Sequence, residues 1–387
     1  MYPITPLWFP YERSEGVVKR TRLRLLSLFF VLFIIRPASA QSLTFTDMAG
    51  RELSVSIPLR RIACLGPGSL RLMVYLQAGD RIVGVEEIEK KRPAGRPYIL
   101  AHPEIARLPR IGPGGPSGTN QKPDLEALLR LKPQAIFVTY LEASQAEALQ
   151  QTLGIPVVVL RYGRSATFDD AVFESLLLAG KLIGEQERAK ELLDYIQALR
   201  SDLQKRGADF ASERRTAYVG GVSYRGAYGI ESTERSYIPM LWANVTNVAE
   251  AVETKLGSHA FIDKEKLLAL NPGTIFVDAA GLELIGEDYR KHPDFYRSLK
   301  ACKNRRVFVL LPFNSYSTNI ETALADAYAI GKALYPEGFR DIDPEKRTDE
   351  IYRFMVGRSV YQSMKKSFAP IGSLAPFCAT AQSKPRE

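Results

Sequence analysis

The chain has 387 residues, 45% of them apolar and 25% charged, which allows two domains with substantial hydrophobic cores. This is the composition of an ordinary globular protein. The formal net charge is +9, but residues 1–40 hold six basic and two acidic side chains, so +5 remains in the rest of the chain. No long basic run follows, and the charge therefore gives no argument for nucleic-acid binding.

Residues 19–40 contain the three parts of a secretory signal peptide. A basic cluster (KRTRLR, 19–24) precedes a wholly apolar run (LLSLFFVLFII, 25–35), and Ala38-Ser39-Ala40 is a small-residue cleavage pattern. The apolar run is shorter than the about 20 residues that span a bilayer, although an uncleaved membrane anchor is the alternative. No cysteine follows the cleavage pattern to accept a lipid. We expect cleavage near Ala40 and a mature protein free in the periplasm.

The first predicted strand leads into a glycine loop. Residues 61–65 are largely apolar, Gly66-Pro67-Gly68-Ser69 follows, and an apolar-periodic helix begins at Leu70. A P-loop needs a lysine that is absent here, and the dinucleotide fingerprint needs a glycine where this chain has Arg71. We therefore predict no nucleotide site. The free N–H groups at the start of the helix would suit an anionic ligand, and a plain strand-to-helix turn is the alternative.

Two distant segments share one pattern. Residues 124–138 read DLEALLRLKPQAIFV and residues 263–277 read DKEKLLALNPGTIFV, so that Asp, Glu, Leu-Leu, Leu, Pro and Ile-Phe-Val recur at the same offsets. Each copy predicts a short helix capped by its Asp, stopped before its Pro and followed by a buried strand. Other strand-like runs at 155–160, 216–219 and 306–311 alternate with helical patterns. This predicts two similar α/β lobes with mostly parallel sheets.

A long helical region separates the two lobes. Gly184 breaks the pattern that begins at Phe168, and residues 186–206 then form a charged amphipathic helix without Gly or Pro. Residues 346–368 are helical in pattern again, and the chain from Gly372 onward is small and polar. The predicted division is a signal peptide (1–40), a first lobe (41–167), an interdomain spine helix (168–207), a second lobe (208–345), a C-terminal helix (346–371) and a disordered tail (372–387).

Motifs along most of the chain carry a family resemblance. They are FTDMAGR at 45–51, RI at 61–62 with GPGS at 66–69, LQAGDRIVGV at 76–85, and both copies of the LLxLxPxxIFV pattern. Together with the spine helix, they resemble the ferric-siderophore, haem and cobalamin class of periplasmic solute-binding proteins. NIETALADA at 319–327 resembles the branch of that class usually labelled iron transport. The resemblance covers residues 44–370 and is more specific for the fold than for the ligand.

This resemblance implies a class III periplasmic binding protein, an α/β fold of two Rossmann-like lobes joined by a single long spine helix. It implies a small-molecule ligand in the cleft and delivery to an ABC permease in the inner membrane. We expect a monomer with no intrinsic cofactor, whose bound cargo is an iron complex, haem or a corrinoid. Members often dock through one surface acid on each lobe. Here Glu142 or Glu147 could serve on the first lobe and Glu234 on the second, although exposed glutamates are usually only solvated.

The loops that follow strands should face the cleft. Tyrosine and arginine side chains gather in these loops, and they suit a bulky anionic chelate or haem propionates. Each tyrosine taken alone could equally be a packing residue. The candidate ligand-binding residues are Gly68, Ser69, Arg71, Gly114, Tyr140, Tyr162, Tyr224, Arg225, Tyr228, His259, Tyr316 and Asn319.

Two cargo classes remain open from the residues. A large chelate would use Tyr224, Tyr228 and Tyr316, whereas an oxyanion such as molybdate or tungstate would use Ser69 and backbone N–H groups. The number of tyrosines favours the chelate. A third alternative is a periplasmic scaffold with a filled cleft and no ligand.

Direct metal binding and catalysis receive little support from the sequence. The chain has three histidines, and only His259 falls at the expected cleft, where a structural role outweighs an axial-ligand or donor role. Neither a Gly-x-Ser-x-Gly elbow nor a His-Glu-x-x-His motif occurs, so we expect no enzyme. Cys64, Cys302 and Cys378 lack metal-type spacing. A Cys64–Cys302 bridge is open, but free thiols are favoured.

Overall fold

The computed structural model describes residues 41–91, 93–115, 122–163, 170–208, 215–224 and 226–379. The predicted signal peptide and Arg225 lie outside these ranges. All described residues belong to one compact unit, Ala40–Glu387. Among them, no helix is both long enough and apolar enough to cross a membrane.

The strands of the described residues are β1 (Gln41–Thr46), β2 (Glu52–Ile57), β3 (Ile62–Leu65), β4 (Ile82–Gly84), β5 (Ala135–Thr139), β6 (Val157–Leu160), β7 (Thr216–Gly220), β8 (Ser232–Glu234), β9 (Thr246–Asn247), β10 (His259–Phe261), β11 (Ile275–Asp278) and β12 (Val307–Leu310).

The helices of the described residues are α1 (Ser69–Tyr75), α2 (Glu87–Lys90), α3 (Pro97–Ala101), α4 (Leu125–Leu131), α5 (Ala143–Leu153), α6 (Ala171–Ile183), α7 (Gln186–Ala208), α8 (Ile238–Trp242), α9 (Lys264–Leu270), α10 (Leu282–Lys291), α11 (Pro293–Ser298), α12 (Lys300–Lys303), α13 (Ile320–Leu334), α14 (Pro344–Val356), α15 (Tyr361–Ser367) and α16 (Pro376–Ala379), with 3-10 turns at Gly79–Arg81 and Pro103–Arg107.

Two four-stranded parallel sheets organise the fold. One has the strand order β4-β3-β5-β6 and the other β12-β11-β7-β9. We call the layers around them the first lobe and the second lobe. The central strands β3, β5 and β11 are buried along their length and mostly apolar, as parallel strands covered on both faces require. The predicted α/β class with parallel sheets is confirmed, while the lobe boundaries stay a prediction.

The internal echo produces the same local structure twice. The side chain of Asp124 accepts a hydrogen bond from the backbone N–H of Ala127 at 3.0 Å, and Asp263 accepts one from Lys266 at 2.6 Å. The capped helices, α4 and α9, lead into β5 and β11, which occupy interior positions in the two sheets. A capping Asp satisfies backbone N–H groups that the helix itself leaves open, and the following proline prevents the helix from continuing.

Two helices, α6 and α7, occupy the described part of the segment predicted as the spine. Gly184 ends α6 in the left-handed conformation (φ +77°), and α7 then continues for 23 residues. Leu192, Ile196 and Leu203 on its apolar face join a core that also contains Phe137 of the first sheet and side chains of the second. The spine is therefore packed into a core that is continuous across both lobes.

The C-terminal region differs from its prediction. The predicted single helix is two helices, α14 and α15, because Gly357 terminates α14 at φ +80°. Of the tail predicted at 372–387, the described residues 372–379 are instead ordered against the edge of β12, where the N–H of Val309 donates to Ser373 O at 2.9 Å. Residues 380–387 lie outside the described residues. Phe377 is buried in the second-lobe core. Backbone pairing and one aromatic anchor hold this segment, and neither produces an apolar periodicity in the sequence.

Cys64 is buried in β3 and Cys302 is half-buried, and no disulfide joins these two residues. Burial raises the pKa of the Cys64 thiol. The alternative of a Cys64–Cys302 bridge, which the sequence left open, is therefore wrong.

Candidate functional site

Two residues of the glycine loop before α1, Gly68 and Ser69, are packed against protein groups. Gly68 has φ +89°, and an added Cβ would lie 2.7 Å from the ring of Tyr162 and 3.3 Å from the Cβ of Ser317. The hydroxyl of Ser69 donates to the backbone oxygen of Phe137 at 3.0 Å. The start of α1 is therefore packed against tyrosine, and Ser69 is committed to the first sheet. The alternative of a plain strand-to-helix turn describes this loop.

Three predicted ligand residues instead join the two lobes. Arg71 is fully buried, and its guanidinium donates to Asn319 Oδ1 at 2.9 Å and to the backbone oxygens of Ser315 and Tyr316 at 2.8 and 3.1 Å. The hydroxyl of Tyr162 donates to Thr318 O at 2.7 Å, and the amide of Asn319 donates to Gly95 O at 2.7 Å. We call Arg71, Tyr162 and Asn319 the interlobe cluster. It holds the loop 314–318 of the second lobe against the first.

A cavity of about 930 Å³ opens beside this loop and is lined by both lobes. Tyr224, His259 and Tyr316 are predicted ligand residues that line it, and Glu234, predicted for docking, lines it as well. The other lining residues are Pro67, Ile88, Lys91, Ala94, Arg96, Val222, Ser223, Gly226, Lys255, Leu256, Gly257, Ser258, Asn314, Ser315 and Ser317.

The second-lobe wall of the cavity is the antiparallel pair of β8 and β10. His259 lies directly opposite Glu234 in this pair, so the two side chains are cross-strand neighbours. The ring of Tyr224 stacks on His259 with centroids 4.5 Å apart and planes at 12°. Burial lowers the pKa of His259 to about 4, which keeps its imidazole neutral.

The tautomer of His259 follows from its neighbour. The hydroxyl of Ser232 donates to Val222 O at 2.5 Å, and the same oxygen lies 3.4 Å from Nε2 of His259. A hydroxyl has one proton to donate, so in this contact Nε2 is the donor. The remaining ring nitrogen, Nδ1, is then an acceptor.

Glu234 does not lie at the surface expected of a docking acid. Its side chain is buried at 3% exposure, and the hydroxyl of Ser258 donates to its Oε1 at 2.8 Å. Desolvation raises the pKa of Glu234 to about 7, and the charge of Asp278 contributes in the same direction. The sequence did not indicate that Glu234 is buried, because a glutamate in a short polar strand usually lies at the surface.

On the first-lobe side of the cavity, Tyr316 of the second lobe contacts a first-lobe carboxyl group. The hydroxyl of Tyr316 donates to Glu86 Oε2 at 2.7 Å, and the backbone N–H of Gly66 donates to the same oxygen at 3.1 Å. Burial raises the pKa of Glu86 to about 7, and these two hydrogen bonds partly oppose the shift. Tyr316 therefore reaches across from the second lobe, and its hydroxyl proton is engaged by a first-lobe carboxyl.

Several cationic and hydroxyl side chains of the cavity were not predicted from the sequence. Lys91 is exposed and pairs with Glu87 at 3.2 Å, whereas Lys255 is exposed and has no ion-pair partner among the described residues. Ser223 and Ser315 follow β7 and β12, so the strand-end rule could have found them. Lys255 precedes β10, and no local pattern marks it.

The remaining predicted residues lie elsewhere. Gly114 packs against Ile88 and Glu86, and an added Cβ would come within 2.5 Å of Ile88. Tyr140 and Tyr228 are each 36% exposed and do not line the cavity. Arg225 lies outside the described residues.

The two first-lobe docking candidates both lie on or beside α5. Glu142 is exposed and forms a capping box with Gln145, while Glu147 lies 3.4 Å from Arg51. Their role in docking stays a prediction.

The described residues contain no group of three or more His, Cys, Asp or Glu side chains placed to hold a metal ion. The chemistry that the cavity does offer is hydrogen bonding from serine hydroxyls, cationic attraction at its exposed side, and one aromatic stack.

Comparison with known proteins agrees with this architecture. A curated relative, the molybdate-binding protein MolA of Haemophilus influenzae, is 26% identical over 329 residues, covering 80% of this chain and 89% of its own. The solved structure of MolA bound to molybdate has a TM-score of 0.63 at 24% identity, covering 82% of this chain and 98% of that chain. A periplasmic solute-binding protein of Veillonella parvula has a TM-score of 0.66 at 18% identity, covering 85% and 97%.

These likenesses bear on the fold, and the family follows from a separate match. The predicted iron-transport branch stays a prediction. A family model described as a periplasmic binding protein matches residues 62–312, which implies a periplasmic location. The chain belongs to this periplasmic binding protein family.

Proposed function

We propose that this protein is the receptor of an ABC importer and that its cargo is an oxyanion of the molybdate or tungstate type. The observation that carries the proposal is the lining of the cavity. Lys91 and Lys255 approach it from opposite lobes, and serine hydroxyls supply donors between them. Oxyanions accept hydrogen bonds and carry negative charge, so donors and cations are the groups that bind them. That MolA is named as molybdate-binding supports the same cargo class.

This proposal reverses the order of preference drawn from the sequence. Of the three tyrosines that favoured a large chelate, Tyr228 does not line the cavity, the hydroxyl of Tyr316 already donates to Glu86, and the ring of Tyr224 stacks on His259 at the lining. The mode of binding also differs, because Ser69 is bonded to Phe137 O and Gly68 is packed against Tyr162. We propose that the serines of the cavity act in their place.

A ferric chelate, haem or corrinoid is a second candidate. A cavity of about 930 Å³ is larger than a tetrahedral oxyanion requires, and the Tyr224–His259 stack offers an aromatic face. A scaffold with no ligand is the least supported reading, because it predicts a filled cleft.

The test is a thermal-shift panel on the purified, ligand-free protein with molybdate, tungstate, ferric siderophores, haemin and cobalamin. A ligand at about 100 times its Kd should add roughly 2.7 kcal/mol, enough to raise the midpoint by a few degrees. We expect molybdate or tungstate to stabilise the protein and the chelates to have no effect. Stabilisation by a chelate alone would establish the second candidate, and no shift with any probe would favour the scaffold.

A lysine pair of variants ties the result to the cavity. Lys255→Ala should weaken the molybdate response, whereas Lys205→Ala, at an exposed position of α7, is the matched control and should not. Equal responses in both variants would place the anion elsewhere.

A further inference from the structure

Glu234 is the acidic residue of the cavity wall, and its neighbours leave it one free oxygen. Oε1 accepts from Ser258 at 2.8 Å, whereas Oε2 receives no hydrogen bond from any residue that the structure describes. The strand pairing places Glu234 beside His259, and both residues line the cavity. The available oxygen therefore belongs to the ligand site and is not consumed by the fold.

The protonation of this oxygen decides what the wall can do. His259 presents the acceptor Nδ1, because its Nε2–H faces Ser232. An ionised Glu234 is also acceptor-only, whereas a protonated Glu234 has one O–H to donate. A fully deprotonated oxyanion has acceptors alone. When Glu234 is ionised, Glu234 and His259 therefore present only acceptors and a like charge to such an anion. Only when Glu234 is protonated can this pair of residues donate a hydrogen bond to it.

We propose that Glu234 is a specificity-determining residue of the cavity, which admits a fully deprotonated oxyanion when its carboxyl carries a proton and rejects that anion when the carboxyl is ionised. This inference rests on the proposed oxyanion cargo. It adds a dependence on pH that the cargo assignment does not contain, since the lysines and serines of the cavity attract an oxyanion throughout the neutral pH range.

The other titratable groups around Glu234 do not duplicate this behaviour. His259 faces it from β10 with a pKa of about 4 and stays neutral above that value. Lys255 lines the exposed side of the cavity and is cationic. Asp278 from β11 has a pKa that burial raises to about 7, and Tyr237 has a pKa that burial raises. Neither of these two residues lines the cavity.

The pKa of Glu234 sets the size of the effect. With a value of about 7, the protonated fraction falls from about nine-tenths near pH 6 to about one-tenth near pH 8. If only the protonated form binds, the apparent Kd for the oxyanion should rise about tenfold over that interval. Binding should also take up close to one proton near pH 8, because the bound state requires the carboxylic acid.

The experiment is isothermal titration of the protein with sodium molybdate near pH 6 and near pH 8, in buffers of different ionisation heat. Wild-type protein should show the tenfold loss of affinity and the proton uptake. Glu234→Gln keeps a donor and has no charge at either pH. It should bind at pH 8 about as tightly as the wild type at pH 6, without proton uptake.

Two further variants make the result specific. Glu126→Gln replaces an exposed glutamate of α4 and should behave as wild type at both pH values. Asp278→Asn removes a charge that raises the pKa of Glu234, so the affinity loss should persist with its midpoint at lower pH.

Each remaining outcome has a separate meaning. If wild type and Glu234→Gln bind molybdate with the same pH dependence, the role of Glu234 is refuted and the oxyanion function stands. If Glu234→Gln binds weakly at both pH values, the residue supports the fold or needs its native shape, and the proposal fails. If the wild type binds no molybdate at either pH, the oxyanion function and this inference fail together.

Discussion

Gly68→Ala is the substitution that most directly tests the packing of the glycine loop. The left-handed backbone at φ +89° disfavours any residue with a Cβ, at a cost of roughly 1–2 kcal/mol. The new methyl would also lie 2.7 Å from the ring of Tyr162. This ring cannot simply swing away, because it is buried and its hydroxyl is bound to Thr318 O. Overpacking of this kind costs roughly 1–3 kcal/mol, so we expect Gly68→Ala to lose roughly 2–5 kcal/mol of unfolding free energy.

Gly50→Ala is the matched control. Gly50 has φ +79°, and an added Cβ there meets no atom within 4 Å. It should therefore lose only the backbone contribution of roughly 1–2 kcal/mol. The difference between the two variants isolates the contact with Tyr162.

Urea unfolding followed by the fluorescence of Trp242, which is buried in α8, measures both variants. Equal losses in Gly68→Ala and Gly50→Ala would refute the packed loop. Such a result would mean that the loop before α1 is open, and the glycine loop would return as a candidate for binding the ligand.

Three further predictions concern a hydrogen bond, a charge and pH. Tyr162→Phe should lose about 1–2 kcal/mol in urea unfolding, because Thr318 O loses its donor, while molybdate affinity by calorimetry stays unchanged. Lys255→Ala should weaken molybdate binding by up to about fivefold at low salt and have little effect at high salt, since an exposed charge is worth about 0.2–1 kcal/mol and is screened. The same loss at both salt concentrations would contradict the electrostatic role. Burial raises the pKa values of Glu234 and Asp278 to about 7 in the folded protein, from ordinary values of 4.5 and 3.8, so unfolding releases protons between these limits. Their contribution to stability should fall as pH rises from about 4 to about 7 and stay constant above about 7. Urea unfolding midpoints of the wild type and of Glu234→Gln across this pH range measure the contribution. A wild-type midpoint that rises with pH relative to that of Glu234→Gln would contradict the burial argument.

The fold was predictable because its signals are local. Asp124 and Asp263 cap helices through their own side chains, and the proline-terminated helices and apolar strands after them need no distant contact to be recognised. The pairing of Ser373 with Val309 was not predictable in this way, because an edge strand is defined by its partner and not by its own composition.

The site was predictable in part for the same reason. Tyr224 and Tyr316 follow strands, and the strand-end rule placed both at the cavity. The rule does not say in which direction a side chain points, so Tyr162 satisfied it and yet packs into the interlobe cluster. Lys255 obeys no strand-end rule, and only the tertiary fold brings it to the cavity.

The interlobe cluster also determines where the cargo preference of this receptor can be redesigned. The backbone oxygens of Ser315 and Tyr316 are occupied by Arg71 of the other lobe. A loop exchanged for 314–318 must therefore keep two backbone oxygens within reach of Arg71. The segment 255–257 also lines the cavity and is exposed at each position. Libraries of variants intended to change the cargo should begin in that segment, where substitutions do not disturb the contacts of the interlobe cluster.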